Sequence, residues 1–215
     1  MSLAARRSSA RLKLLESAFA LIRAKGYCAT SLDELCTRAG VTKGAFFHHF
    51  RSKDELGAAA ADHWSEVTGT FFAHAPYHRH TDPLERVIGY LEFRKSILQG
   101  RLEEFTCLVG TMVQEVYNSA PAIRDACNRS IGGHAATLEA DIAAAMAMYP
   151  PVEQVSARSL ALHSQAVLQG AFILAKAQQG ADVAADSIEH LIRYVRLLFG
   201  RSDPIDKKGN DDELC

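Results

Sequence analysis

The stretch Ser31–Lys53 constrains this chain more than any other, because local chemistry alone fixes two short helices and the turn between them. Ser31 followed by Glu34 is a capping-box pattern, in which the serine oxygen takes an orphan backbone N–H and the glutamate reaches back. A helix therefore starts near Leu32. It ends at Ala39-Gly40, where glycine can take the left-handed conformation that turns the chain. Thr42 can cap a second helix running from Lys43 through Phe47 to about His49. Two helices joined by a short glycine-containing turn form a helix-turn-helix, whose second member lies in the DNA major groove with its N-terminal residues on base edges. Ser52 and Glu55 repeat the capping pattern and open the next helix.

Around this centre the apolar periodicity is helical throughout. Leu12, Leu15, Phe19 and Ile22 fall on one face of a helix from about Ser9 to Lys25, which should roof the helix-turn-helix. Leu56, Ala60, Trp64, Val67 and Phe71 mark a helix opening at Lys53. At 1.5 Å per residue it spans about 30 Å, enough to join a reading head to a second domain. Asp82-Pro83 restarts helix, and Val87, Leu91, Arg94 and Leu98 continue it. Further helices are expected over about Leu102–Asn118, from Pro121 to about Met148, over Ser156–Gln179 and over Val183–Phe199. The expected fold is all-α, about nine helices, without strands. The division is 1–55 as the helix-turn-helix domain, 56–200 as a second helical domain, to which the family resemblance described below assigns ligand binding and dimerisation, and 201–215 as a polar tail.

Charge sharpens this division. The formal charge of −1 conceals ten Lys/Arg against five Asp/Glu in residues 1–60 and fourteen against twenty in residues 61–215. A basic first module fits a polyanionic partner. Five cysteines, an odd number without metal-like spacing, argue for a reducing compartment, and no run of 18 apolar residues suggests a membrane span. A cytoplasmic protein is expected, without cofactor. No G-x-S-x-G, P-loop or H-E-x-x-H pattern supports an enzyme. His74, His78 and His80 fall in a loop without a fourth ligand, so no metal site is expected. The remaining rival is a helical interaction module that does not bind DNA, which the basic head disfavours.

The order Ser-Leu-Asp-Glu-Leu, Ala-Gly-Val-Thr-Lys-Gly, Phe-His-His-Phe and Ser-Lys-Asp-Glu-Leu resembles the DNA-binding signature of the TetR family of bacterial repressors. The resemblance implies a regulator that binds a palindromic operator in double-stranded DNA as a homodimer and is released by a small-molecule inducer. Carried over residue by residue, it puts Lys43, Gly44 and Ala45 in the groove, flanked by Thr42, Phe47, His48 and His49. Lys53 should hold a phosphate, and Ser31 can give its backbone N–H to the opposite strand. Phe47 stands where the family often has tyrosine, so a phosphate bond through that hydroxyl is lost. Phe46 is expected in the core.

The resemblance also implies that the last two helices pair with their copies in a second subunit. Their apolar residues nominate Leu160, Val167, Gly170, Ala171 and Leu174 on one helix and Ile188, Leu191, Val195 and Leu198 on the other. For an inducer pocket between the middle helices, the candidates are Trp64, Phe93, Cys107, Met112, Glu115, Tyr117 and His134. Cys107, with Lys176 opposite, carries a second possibility: a lysine near a thiol stabilises thiolate, so the switch can be an electrophile- or redox-sensing cysteine of the same fold.

Overall fold

The structure is a computed structural model that describes residues 3–201, with side chains from Ala10 onward; apart from Arg201, the tail expected over 201–215 lies outside the described residues, as does Cys215. Among the described residues all regular structure is helical, as α1 (Leu3–Lys25), α2 (Leu32–Ala39), α3 (Lys43–His49), α4 (Lys53–Ala73), α5 (Pro83–Ser96), α6 (Leu102–Phe105), α7 (Leu108–Val116), α8 (Pro121–Met148), α9 (Ala157–Gln178) and α10 (Asp182–Leu198). A single turn of 3-10 helix, Pro76–Arg79, occupies the histidine-bearing segment expected as loop.

Ten helices stand among the described residues where about nine were expected, because the segment from Leu102 is broken. Thr106 and Cys107 are extended, and the Cys107 sulfur caps α7 by accepting from the Gly110 amide at 3.5 Å. The break frees carbonyls that a remote side chain uses: Arg23 of α1 donates to the Glu104 and Thr106 oxygens at 3.3 and 3.5 Å. The start of α5 follows the expected pattern, with the Asp82 carboxylate accepting from the Leu84 and Glu85 amides at 2.7 and 3.3 Å and Pro83 in the first turn. Tyr149 donates to the same carboxylate at 2.5 Å and ties the end of α8 to the beginning of α5.

Two cores result. In the first, Leu14, Leu15 and Ile22 of α1 pack with Leu35, Phe46 and Leu56, and also with Leu108 and Met112 of α7 and Ile123 of α8. The head is therefore not closed at residue 55, since α7 and the first turns of α8 complete its interior. In the second, Tyr90 and Leu91 of α5 pack with Leu138 and Ile142 of α8, Leu160 and Leu168 of α9, and Ile188 and Val195 of α10.

Packing within one protomer takes up most of the residues nominated for a dimer face. Leu160, Ala171, Ile188, Leu191, Val195 and Leu198 are all at most 5% exposed within one protomer. Val167 and Gly170 are half-buried, and of the nominated residues Leu174 alone is well exposed. The helices are apolar on both sides, and the richer side goes inward, where burying each large aliphatic side chain contributes about 1.5–3 kcal/mol. What remains outside is a second stripe: Leu162, Ile173 and Leu174 of α9 beside Tyr194 and Leu197 of α10, each more than 40% exposed.

Candidate nucleic-acid interface and effector chamber

The reading head is built by its caps. The Ser31 oxygen accepts from the Glu34 amide at 3.2 Å while Glu34 takes the Ser31 N–H at 2.9 Å, completing the capping box. Gly40 closes α2 at φ 64°, ψ 36°, a conformation that disfavours a side chain. Thr42 caps α3 by accepting from the Ala45 amide at 3.1 Å. Ser52 caps α4 in the same way, but Glu55 reaches past it to the Arg51 N–H at 2.6 Å. Phe46 is fully buried, as expected, and its ring meets those of Phe47 and Phe50. Anchoring Phe46 inward turns the opposite side of α3 out: Thr42, Lys43, Gly44, Phe47 and His48 are exposed, and Ala45 and His49 half-buried.

Three nominated residues are engaged inside the protein. Lys43 forms an exposed ion pair with Asp33 at 2.6 Å, which raises its pKa and bridges the first turns of α2 and α3. The Ser31 N–H is taken by Glu34, which corrects its expected place on DNA. The Lys53 ammonium faces inward rather than toward a phosphate, donating to the Tyr27 and Thr30 carbonyls at 3.1 and 3.0 Å, 4.3 Å from the Tyr27 ring. Its physical reason is satisfaction: the loop between α1 and α2 leaves those carbonyls without helical partners.

Behind the head lie two adjoining cavities. The inner chamber encloses about 70 Å³ between α4, α5, α8 and α9, and the nominated Trp64, Cys107 and His134 line it. The outer cleft, about 220 Å³, is lined by Cys107, Glu115 and Lys176 among others. Gln169 and Phe172 border both, so they form the partition. Three nominations fall elsewhere: Met112 is fully buried in the head's core, Tyr117 is 61% exposed, and Phe93 packs among the rings of Phe71, Phe72 and Tyr77. Sequence reasoning missed Arg94, Thr106 and Gln165 on the chamber wall. The signal for Arg94 was present, since a charge sits in step with Val87 and Leu91 on an apolar stripe.

A buried polar chain forms one side of the chamber. Gln165 donates to the Tyr90 hydroxyl at 3.2 Å, and that hydroxyl lies 2.9 Å from His134 Nε2. The chain links α9, α5 and α8 and seats the imidazole where its charged form is disfavoured. Burial, helped by the nearby Arg94 charge, brings His134 down to about 4. In the outer cleft Lys176 donates to the Thr111 hydroxyl at 2.7 Å; burial lowers its pKa, which the nearby Cys107 partly opposes.

Both cavities touch the head. Arg23 of α1 stacks 5.0 Å from Trp64, a chamber wall, and bonds Thr106, another. Glu115 of α7 accepts the Tyr27 and Cys28 amides at 3.0 and 2.7 Å. Among the described residues no three His, Cys, Asp or Glu side chains converge to hold a metal, and no helix is long and apolar enough to cross a membrane.

Residues 14–60 match the family described as bacterial regulatory proteins, tetR family, and residues 83–185 match the C-terminal domain of LmrA/YxaF-like transcriptional regulators. The chain belongs to the TetR family. It is 30% identical over 127 residues to the transposon Tn10 TetC protein of Escherichia coli, a match covering 47% of this chain and 64% of that protein. It is 29% identical over 113 residues to the transcriptional regulator AcuR of Cereibacter sphaeroides, covering 51% of this chain and 50% of that one. The matches thus span less than two thirds of either relative. The fold is shared with a TetR transcriptional regulator from Chloroflexus aurantiacus at TM-score 0.77 and 24% identity, over 88% of this chain and 96% of the other. This TetR-family chain accordingly carries the head of a DNA-binding regulator at residues 14–60.

Proposed function

We propose that this TetR-family regulator is a repressor that binds a palindromic operator as a dimer in the cytoplasm and is released by a small molecule in the chamber behind its head. The observation that carries the reading is the outward side of α3: Thr42, Lys43, Gly44, Phe47 and His48 form a polar and aromatic edge on a helix held by the fully buried Phe46. Lys43 and Ala45 meet base edges, while the exposed His48 meets phosphate and the half-buried His49 packs. The Asp33–Lys43 pair presets the lysine without fixing it, because an ion pair open to water contributes little. The apolar stripe of Leu162, Ile173, Leu174, Tyr194 and Leu197 supports an interface between two copies, with a two-fold axis that matches operator symmetry. Release follows from shared walls, because Trp64 and Thr106 border the chamber and both touch Arg23 of the head.

Sequencing the genomic fragments retained by the purified protein tests this reading. Enrichment of an inverted repeat is the expected result, and an absence of two-fold symmetry in the bound sites overturns it. Lys43→Ala should lose roughly 10- to 100-fold in affinity for the selected site and relax the preference at one symmetric position. An equal loss on every sequence, with a shallower salt slope, would assign Lys43 to phosphate instead.

A second reading keeps the fold and changes the trigger. Cys107 stands at the junction of both cavities, and Arg23 and Lys176 both lie within its electrostatic reach. An electrophile that enters either cavity meets this sulfur. If this is the switch, a thiol-alkylating reagent releases operator from the wild type and not from Cys107→Ser; equal release from both excludes it.

A further inference from the structure

The chamber holds a cation without a counter-charge. The Arg94 guanidinium stands 5.1 Å from the Phe72 ring and 5.6 Å from the Phe172 ring, and both rings line the chamber. No Asp or Glu lines it, and among the described residues Arg94 forms no ion pair. His134 is neutral at ordinary pH, so Arg94 is the one cation on the described wall. Aromatic faces attract a guanidinium but do not neutralise it, so the half-buried Arg94 head keeps its planar fork of donors for an anion.

A second, independent feature lies on the same wall. Thr106 is 1% exposed, and its hydroxyl has no hydrogen-bond partner. Buried hydroxyls are nearly always paired, so an unpaired one on a cavity wall marks the place of a missing group. The chamber's 70 Å³ corresponds to roughly five to seven water positions at 10–15 Å³ each. An occupant of that size has a handful of non-hydrogen atoms.

We infer that the chamber is a carboxylate site: it takes a small organic monocarboxylate, with the acid on the Arg94 guanidinium and the Thr106 hydroxyl and the short carbon body between the Trp64, Phe72 and Phe172 rings. The planar guanidinium fork suits a carboxylate held through two parallel bonds. A single cation matches a single negative charge, whereas a phosphate monoester would be left with uncompensated charge. The inference deepens the effector reading above and rests on it.

The protein carries one tryptophan, Trp64, and it lines the chamber, so its fluorescence reports occupancy. The test titrates the full chain with linear and branched monocarboxylates of three to five carbons, each beside its neutral amide and with inorganic phosphate as a further arm. At least one acid is expected to give a saturable change at a concentration ten-fold or more below its amide. That preference should vanish in Arg94→Gln, and survive with weaker binding in Arg94→Lys, in proteins whose helical circular dichroism matches the wild type. No saturable response to any acid, equal response to acid and amide, a stronger response to phosphate, or unaltered acid binding by Arg94→Gln each overturns the inference. Adding operator separates the two readings. An acid that binds through Arg94 without loosening DNA leaves the carboxylate site standing and removes the effector reading, while release by a neutral compound does the reverse.

Discussion

Leu197→Glu is expected to leave each protomer folded, to turn the dimer into monomers, and to lower operator affinity roughly 100-fold or more, the scale on which linked sites exceed single ones. Leu197 is 61% exposed, so a glutamate there meets water in the isolated protomer and disturbs no core. In a two-fold interface each residue faces the partner's copy of the same surface, so one substitution brings two carboxylates into an apolar contact. The neighbouring position is the control. Leu198 is 5% exposed and packs in the second core, so Leu198→Glu should unfold the protomer instead. Sedimentation and operator titration check both. A Leu197→Glu protein that remains dimeric and binds operator normally would remove the outer stripe from the interface.

Gly26→Ala is expected to cost about 2–4 kcal/mol, against about 1 kcal/mol for Gly40→Ala, although both glycines have positive φ. At Gly40 a methyl group meets nothing within 4 Å, so the left-handed conformation is the whole cost. At Gly26 the backbone has φ 93°, and an added Cβ would lie 2.5 Å from Glu115 Oε1. The methyl group must expel the carboxylate that holds the Tyr27 and Cys28 amides, removing two charge-assisted hydrogen bonds between α7 and the head. The excess should therefore shrink when Glu115 is already alanine, and urea unfolding of the four proteins of that cycle measures it. A Gly26→Ala cost unchanged by Glu115→Ala would mean that the carboxylate does not tie head to body.

These expectations show which features are local and which are tertiary. The head was legible because Ser31, Glu34, Gly40 and Thr42 each act on a partner within four residues, and the caps form where the sequence places them. Lys53 was misplaced because its partners, the Tyr27 and Thr30 carbonyls, belong to a loop more than twenty residues away. The α6–α7 break was illegible for a similar reason: no proline or glycine marks Thr106, and the freed carbonyls are taken by Arg23 from the far end of α1. Most residues nominated for the interface are buried by their own chain, because apolarity alone does not distinguish a face buried that way from one buried by a copy. Arg94 was the available clue to the chamber, a charge in an apolar register whose meaning depends on Phe72 and Phe172 arriving from two other helices.

The shared interior of head and body bears on how such regulators are recombined. A chimera cut after residue 55 would carry away Leu14, Leu35 and Phe46 while leaving behind Leu56, Leu108, Met112 and Ile123, the side chains that fill the same space. Transplanting this operator specificity onto a foreign sensor therefore requires moving α7 and the opening of α8 with it, or redesigning the recipient's matching surface.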